Sequence, residues 1–76
     1  MVGKGIDALQ VMRKERIDLV YNYVLTNPEI DIDFLIAKIA YEHGIRNDTI
    51  YEYIDILFKN DKIEISIDNK VRVKSE

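Results

Sequence analysis

The stretch that decides the fold is Ile39-Ala40-Tyr41-Glu42-His43-Gly44-Ile45-Arg46-Asn47-Asp48-Thr49-Ile50. Ahead of it, Ile32, Leu35, Ile36, Ile39 and Ala40 recur at three- and four-residue steps, the spacing of one helical face. Gly44 stops that helix, because glycine takes the left-handed conformation of a helix end without a steric penalty. Asn47 and Asp48 can each cap a third helix, which carries Ile50, Ile54 and Leu57 inward and runs to about Lys59. Two helices are therefore expected to meet across a short turn.

Working toward the N-terminus, Asp31 is suited to cap the second helix. Asn27-Pro28 ends an earlier one, since proline lacks a backbone donor and disfavours helical geometry in the residue before it. Glu29-Ile30 reads as a connector or minimal strand. From Ile6 to about Leu25, the residues Ile6, Leu9, Met12, Ile17, Val20, Tyr21 and Val24 form the inward face of a first helix.

Working toward the C-terminus, the period changes to two after Asn60-Asp61. Ile63, Ile65 and Ile67, then Val71 and Val73, alternate with polar residues, as in two half-buried strands. Pairing Ile67 with Val71 and Ile65 with Val73 keeps the apolar residues on one face, places a three-residue turn at Asp68-Asn69-Lys70 and sets Glu64 opposite Lys74. The order is helix, connector, helix, tight turn, helix, hairpin. The fold class is mainly α with a small β-hairpin.

Seventy-six residues make one domain, 1–76, with no room for a cleft between domains. A hydrophobic fraction of 47% with 33% charged residues excludes the composition of a disordered chain. No apolar run reaches the ~20 residues of a membrane span and no secretory leader is visible, so a cytoplasmic protein without a membrane partner is expected. Without cysteine, and with a single histidine, metal and thiol chemistry are poor prospects, and no cofactor is expected. A core this small, with neither disulfide nor metal, raises the prior for subunit association.

The net charge of −3 is unevenly spread. Residues 1–16 carry four bases against two acids, residues 59–76 five against four, and residues 17–58 only Lys38 and Arg46 against eight acids.

Ile39-Ala40 with Gly44-Ile45, Thr49-Ile50 with Ile54 and Leu57, and Asp61-Lys62-Ile63-Glu64-Ile65 leading into a hairpin together resemble the winged-helix members of the helix-turn-helix superfamily, in particular small regulators of archaea and their viruses. The resemblance covers about residues 17–74. It implies three helices plus a two-stranded wing over 61–74, with residues 1–16 as a helical extension. It also implies a non-enzymatic transcriptional regulator of double-stranded DNA, acting in the host cytoplasm for a viral member, whose third helix enters the major groove while the wing lies along the backbone. On that reading Arg46, Asn47, Thr49, Tyr51 and Lys59 on or beside the third helix meet bases and phosphates. Lys70, Arg72 and Lys74 on the wing meet phosphates.

Asp48, Glu52 and Asp55 occupy the same outward surface of the third helix, against the sign a polyanion requires. A dimer binding through its wings and through Lys4, Arg13, Lys14 and Arg16 would ease that conflict. The alternative is a protein-interaction module whose acidic third helix meets a basic partner.

Other features have structural explanations. Most of the five tyrosines read as packing residues, with Tyr51 the exposed contact. His43 reads as a helix-end residue near the last carbonyls, and Asp31 with Asp33 as capping groups rather than a catalytic pair. Phe34, Ala37 and Tyr41 fall off the core face of the second helix, and Ile56 and Phe58 flank that of the third. This surplus, with Ile6, Leu9 and Met12, points to a homodimer formed through the N-terminal helix. No nucleophile-base pair, phosphate-cradling loop or metal cluster supports an enzyme, and no small-molecule substrate is expected.

Overall fold

A computed structural model describes the backbone of residues 2–74 and the side chains of residues 11–74. The elements in chain order are α1 (Val2–Thr26), β1 (Ile30–Asp31), α2 (Ile32–His43), α3 (Asn47–Lys59), β2 (Ile63–Ile65) and β3 (Lys70–Val73). Three helices thus accompany one small antiparallel sheet, an arrangement compatible with a winged-helix layout. The molecule measures 47 × 30 × 19 Å. No helix among the described residues is long and apolar enough to cross a membrane.

The helix ends follow the local chemistry with one exception. Asp31 accepts from the Asp33 and Phe34 amides, and Gly44 closes α2 at φ 64°. α3 begins without a side-chain cap, because the extended residue before it is Arg46 and Asn47 is already helical. Asp48 instead accepts from the Thr49 amide at 2.9 Å, one residue inside the helix, so neither capping expectation holds. The other end of α3 is closed by paired backbone bonds, Asp61 N–H to Phe58 O and Lys62 N–H to Leu57 O, with Asp61 left-handed at φ 59°.

The core gathers Val20 and Val24 of α1, Leu35, Ile36 and Ile39 of α2, Ile45 beneath the turn, and Ile50, Tyr53, Ile54 and Leu57 of α3. Ile30, Ile63 and Val71 complete it from the sheet. Met12 departs from the expected face of α1. It is half exposed, and every described side chain from Val11 to Arg16 is likewise exposed. Ile6 and Leu9, assigned to the same face, lie outside the described side chains.

The sheet differs from the expected two-stranded ribbon. Its order is β1-β3-β2, with Ile30 opposite Val71 and Asp31 opposite Lys70 on one side of β3. On the other side Ile63 pairs with Val73, Glu64 with Arg72 and Ile65 with Val71. The hairpin register is thus displaced by two residues from the expected pairing. A two-residue displacement leaves every side chain on its original face, so alternation alone cannot distinguish the registers. The turn decides: Asn69 is left-handed at φ 64°, its amide donates to Ser66 O at 3.0 Å, and the Ser66 amide donates to Lys70 O at 2.8 Å. The three-residue loop is therefore Ile67-Asp68-Asn69, and it carries Ile67 out of the core to full exposure.

Candidate nucleic-acid interface

α3 is seated by its buried side chains, and its opposite face carries Asn47, Asp48, Tyr51, Glu52, Asp55 and Lys59 to the exterior. Thr49, expected on that face, is half-buried. Tyr51 is exposed as expected. Arg46, at the helix start, is 83% exposed on its side chain and reaches Asp48 at 3.3 Å.

Every acid of this face has a basic partner. Asp48 pairs with Arg46 at 3.3 Å, Glu52 with Arg13 of α1 at 3.4 Å, and Asp55 with Lys59 at 3.1 Å. The charge problem set by the sequence is met by compensation. The same pairing occupies the cations that phosphates would need.

The hairpin repeats this pattern. Lys70, Arg72 and Lys74 share one face of β3 and its continuation, as alternation requires. Arg72 pairs with Glu64 at 3.3 Å, replacing the expected Lys74–Glu64 pair, while Lys74 reaches back to Asp61 at 3.3 Å. Lys70, half-buried opposite Asp31 in the ladder, makes no ion pair among the described residues. The displaced register accounts for the change of partner, since it moves Arg72 opposite Glu64. Of the N-terminal cations, Lys14 pairs with Asp18 at 2.9 Å, Arg16 is exposed, and Lys4 lies outside the described side chains.

No family model, curated protein or solved structure matches this chain. The geometry of the faces is therefore the basis for any functional reading. Exposed ion pairs of this kind contribute at most about 1 kcal/mol each, so a polyanion can compete for the cation. Arg46, Arg72 and Lys74 remain accessible on that account, at the cost of freeing a carboxylate.

A second cluster joins the ends of α1 and α2. The Tyr23 hydroxyl donates to the Glu42 carboxylate, which also pairs with Lys38 at 3.2 Å. The His43 ring stands edge-on to Tyr23 with centroids 6.0 Å apart, a contact with an aromatic ring in place of the expected one with helix-end carbonyls. The hydroxyl and then Lys38 hold the Glu42 carboxyl below its ordinary range, and the same bond with the carboxylate raises the Tyr23 hydroxyl. At the hairpin tip, the Ser66 hydroxyl donates to Asp68 and lowers that carboxyl likewise.

Sequence reading missed two features of this region. One is the Arg13–Glu52 bridge, signalled only by opposite charges on helices 39 residues apart. The other is a groove of about 430 Å³ between α1 and α3, which depends on the packing of two helices and leaves no local signature.

Proposed function

We propose that the chain is a non-enzymatic, sequence-specific DNA-binding regulator that acts as a homodimer. The reading is supported by the left-handed Gly44 turn between α2 and α3, the exposed face of α3, and a following hairpin whose third-strand face bears Lys70, Arg72 and Lys74. α3 supplies the groove-sized element, with Arg46, Asn47, Tyr51 and Lys59 outward. The hairpin supplies the phosphate contacts. Pairing through α1 brings two copies together, with Val11 and Met12 exposed on that helix as the apolar contact. A twofold would match palindromic half-sites.

The test is a duplex titration at about 50 mM and about 200 mM salt, with sequences selected from random duplexes. Binding that weakens steeply with salt, and weakens again in Arg46→Ala and Arg72→Ala, is expected. Absence of duplex binding at the lower salt overturns the proposal.

The second reading, a protein-interaction module, is favoured by one observation. The α3 face is charge-compensated and exposes Tyr51 and Phe58, seven residues apart and so on one side of the helix. On this reading the same titration yields no duplex binding.

A further inference from the structure

The groove between α1 and α3 is lined mainly by apolar side chains, with Lys14, Asp18, Asn60 and Lys62 among its polar groups. Ile17 and Tyr21 of α1 face Ile56 and Leu57 of α3 across it, and Lys14 and Lys62 stand at its rim. Its volume of about 430 Å³ falls within the ~300–1,000 Å³ typical of small-molecule sites, which are likewise mostly apolar with a few polar groups.

The polar groups of the rim are not equivalent. Asp18 is held by Lys14 at 2.9 Å, and the Asn60 amide donates to Ile56 O at 2.7 Å, so both are engaged. Lys62 makes no ion pair and the Tyr21 hydroxyl no hydrogen bond among the described residues, which leaves two donors open to a ligand. Counting Lys14, Lys62 and Asp18, the lining carries one net positive charge on a chain of net charge −3. With Lys14 paired to Asp18, Lys62 is the charge that remains, and its sign favours an anionic head group.

We infer that this groove binds a small amphipathic anion, an aliphatic or aromatic carboxylate whose chain lies over Ile17, Ile56 and Leu57 and whose head group meets Lys62 and the Tyr21 hydroxyl. Apolar burial supplies affinity, and the charge-assisted bond fixes the direction of the ligand. The inference stands apart from the nucleic-acid reading, since none of these residues belongs to the outward face of α3. Because Ile56 and Leu57 are α3 residues, a bound ligand would also bear on how that helix sits against α1.

Decanoate, kept below its micellar range, serves as the probe, with decyltrimethylammonium as the control of opposite charge. Amide chemical shifts of the whole chain are followed during each titration. The inference expects saturable shifts concentrated at residues 14–21 and 56–62 with decanoate, and much weaker ones with the cation. Lys62→Ala, an exposed substitution whose folding is checked by circular dichroism, should weaken decanoate binding about five- to tenfold. Equal binding of the cation, shifts scattered over the chain, or no saturation overturns it. Shifts at the same residues on simple dilution of the protein would mean that a second copy fills the groove, and overturns it equally.

Discussion

Arg13 and Glu52, 39 positions apart, meet at 3.4 Å and tie the first helix to the outward side of the third. Both side chains are more than half exposed, so the bridge adds at most about 1 kcal/mol to stability. Its weight is electrostatic. On the nucleic-acid reading, Glu52→Gln removes an acid from the contact face and releases Arg13, so duplex affinity should rise severalfold at low salt. Arg13→Ala should lower it. A titration in which both variants bind like the parent removes α3 from the contact surface.

Gly44 sits at φ 64°, and a methyl group built there meets no atom within 4 Å. The cost of Gly44→Ala is therefore confined to the left-handed backbone and should be about 1–2 kcal/mol, with no cavity or clash to add. Urea denaturation should show a lower midpoint and an unchanged slope. A much larger loss would mean that the turn contributes packing as well.

The hairpin register separates two isoleucine-valine positions that alternation treats alike. Ile67 is fully exposed at the turn, and Val71 is fully buried between β1 and β2. Ile67→Thr should change stability by less than about 0.5 kcal/mol. Val71→Ala should cost about 2 kcal/mol by loss of two methyl groups and an incompletely closed space. Comparable losses at both positions would restore the register with Ile67 opposite Val71.

The Tyr23–Glu42 bond makes stability depend on pH at both ends. Glu42 has its carboxyl lowered in the folded chain, so the contribution is present above the ordinary value of 4.5 and is lost as pH falls through the lower folded value. Tyr23 is raised, so its contribution holds below 10.0 and is lost as pH rises through the higher folded value. Tyr23→Phe should move the Glu42 titration back up, as read by carboxyl chemical shifts, and flatten both limbs of the stability profile. An unmoved Glu42 titration would show that Lys38 alone sets it.

The helices were legible because each carries a local signal, although the start of α3 lacks the expected cap. Asp31 and Gly44 bound α2 by chemistry that needs no distant partner, and Pro28 closes off α1 in the same way. Ile50, Ile54 and Leu57 announce the inner face of α3 by spacing alone. What stayed hidden depends on residues far apart in the chain. Glu29-Ile30 was legible as a connector or minimal strand, but the partner of Ile30 is Val71, 41 positions later, and the partner of Glu64 depends on a left-handed Asn69 that alternation does not encode. The eight candidate contact residues were placed on the surface by the helical and strand periods, with Thr49 and Lys70 only half exposed. Their ion-pair partners, which decide how strongly they can attract a polyanion, were visible only in three dimensions.

β1 and β2 touch only through β3, and the Ile32 amide at the start of α2 donates to Asn69 O at 2.9 Å. The strand made last among these elements is thus the keystone. The three helices can pack through contacts nearer in sequence, but the α1–α2 connector has no ladder to join until residues 69–73 fold back onto it. Closure of the sheet is then a late, long-range event, slower than the local helix packing that precedes it.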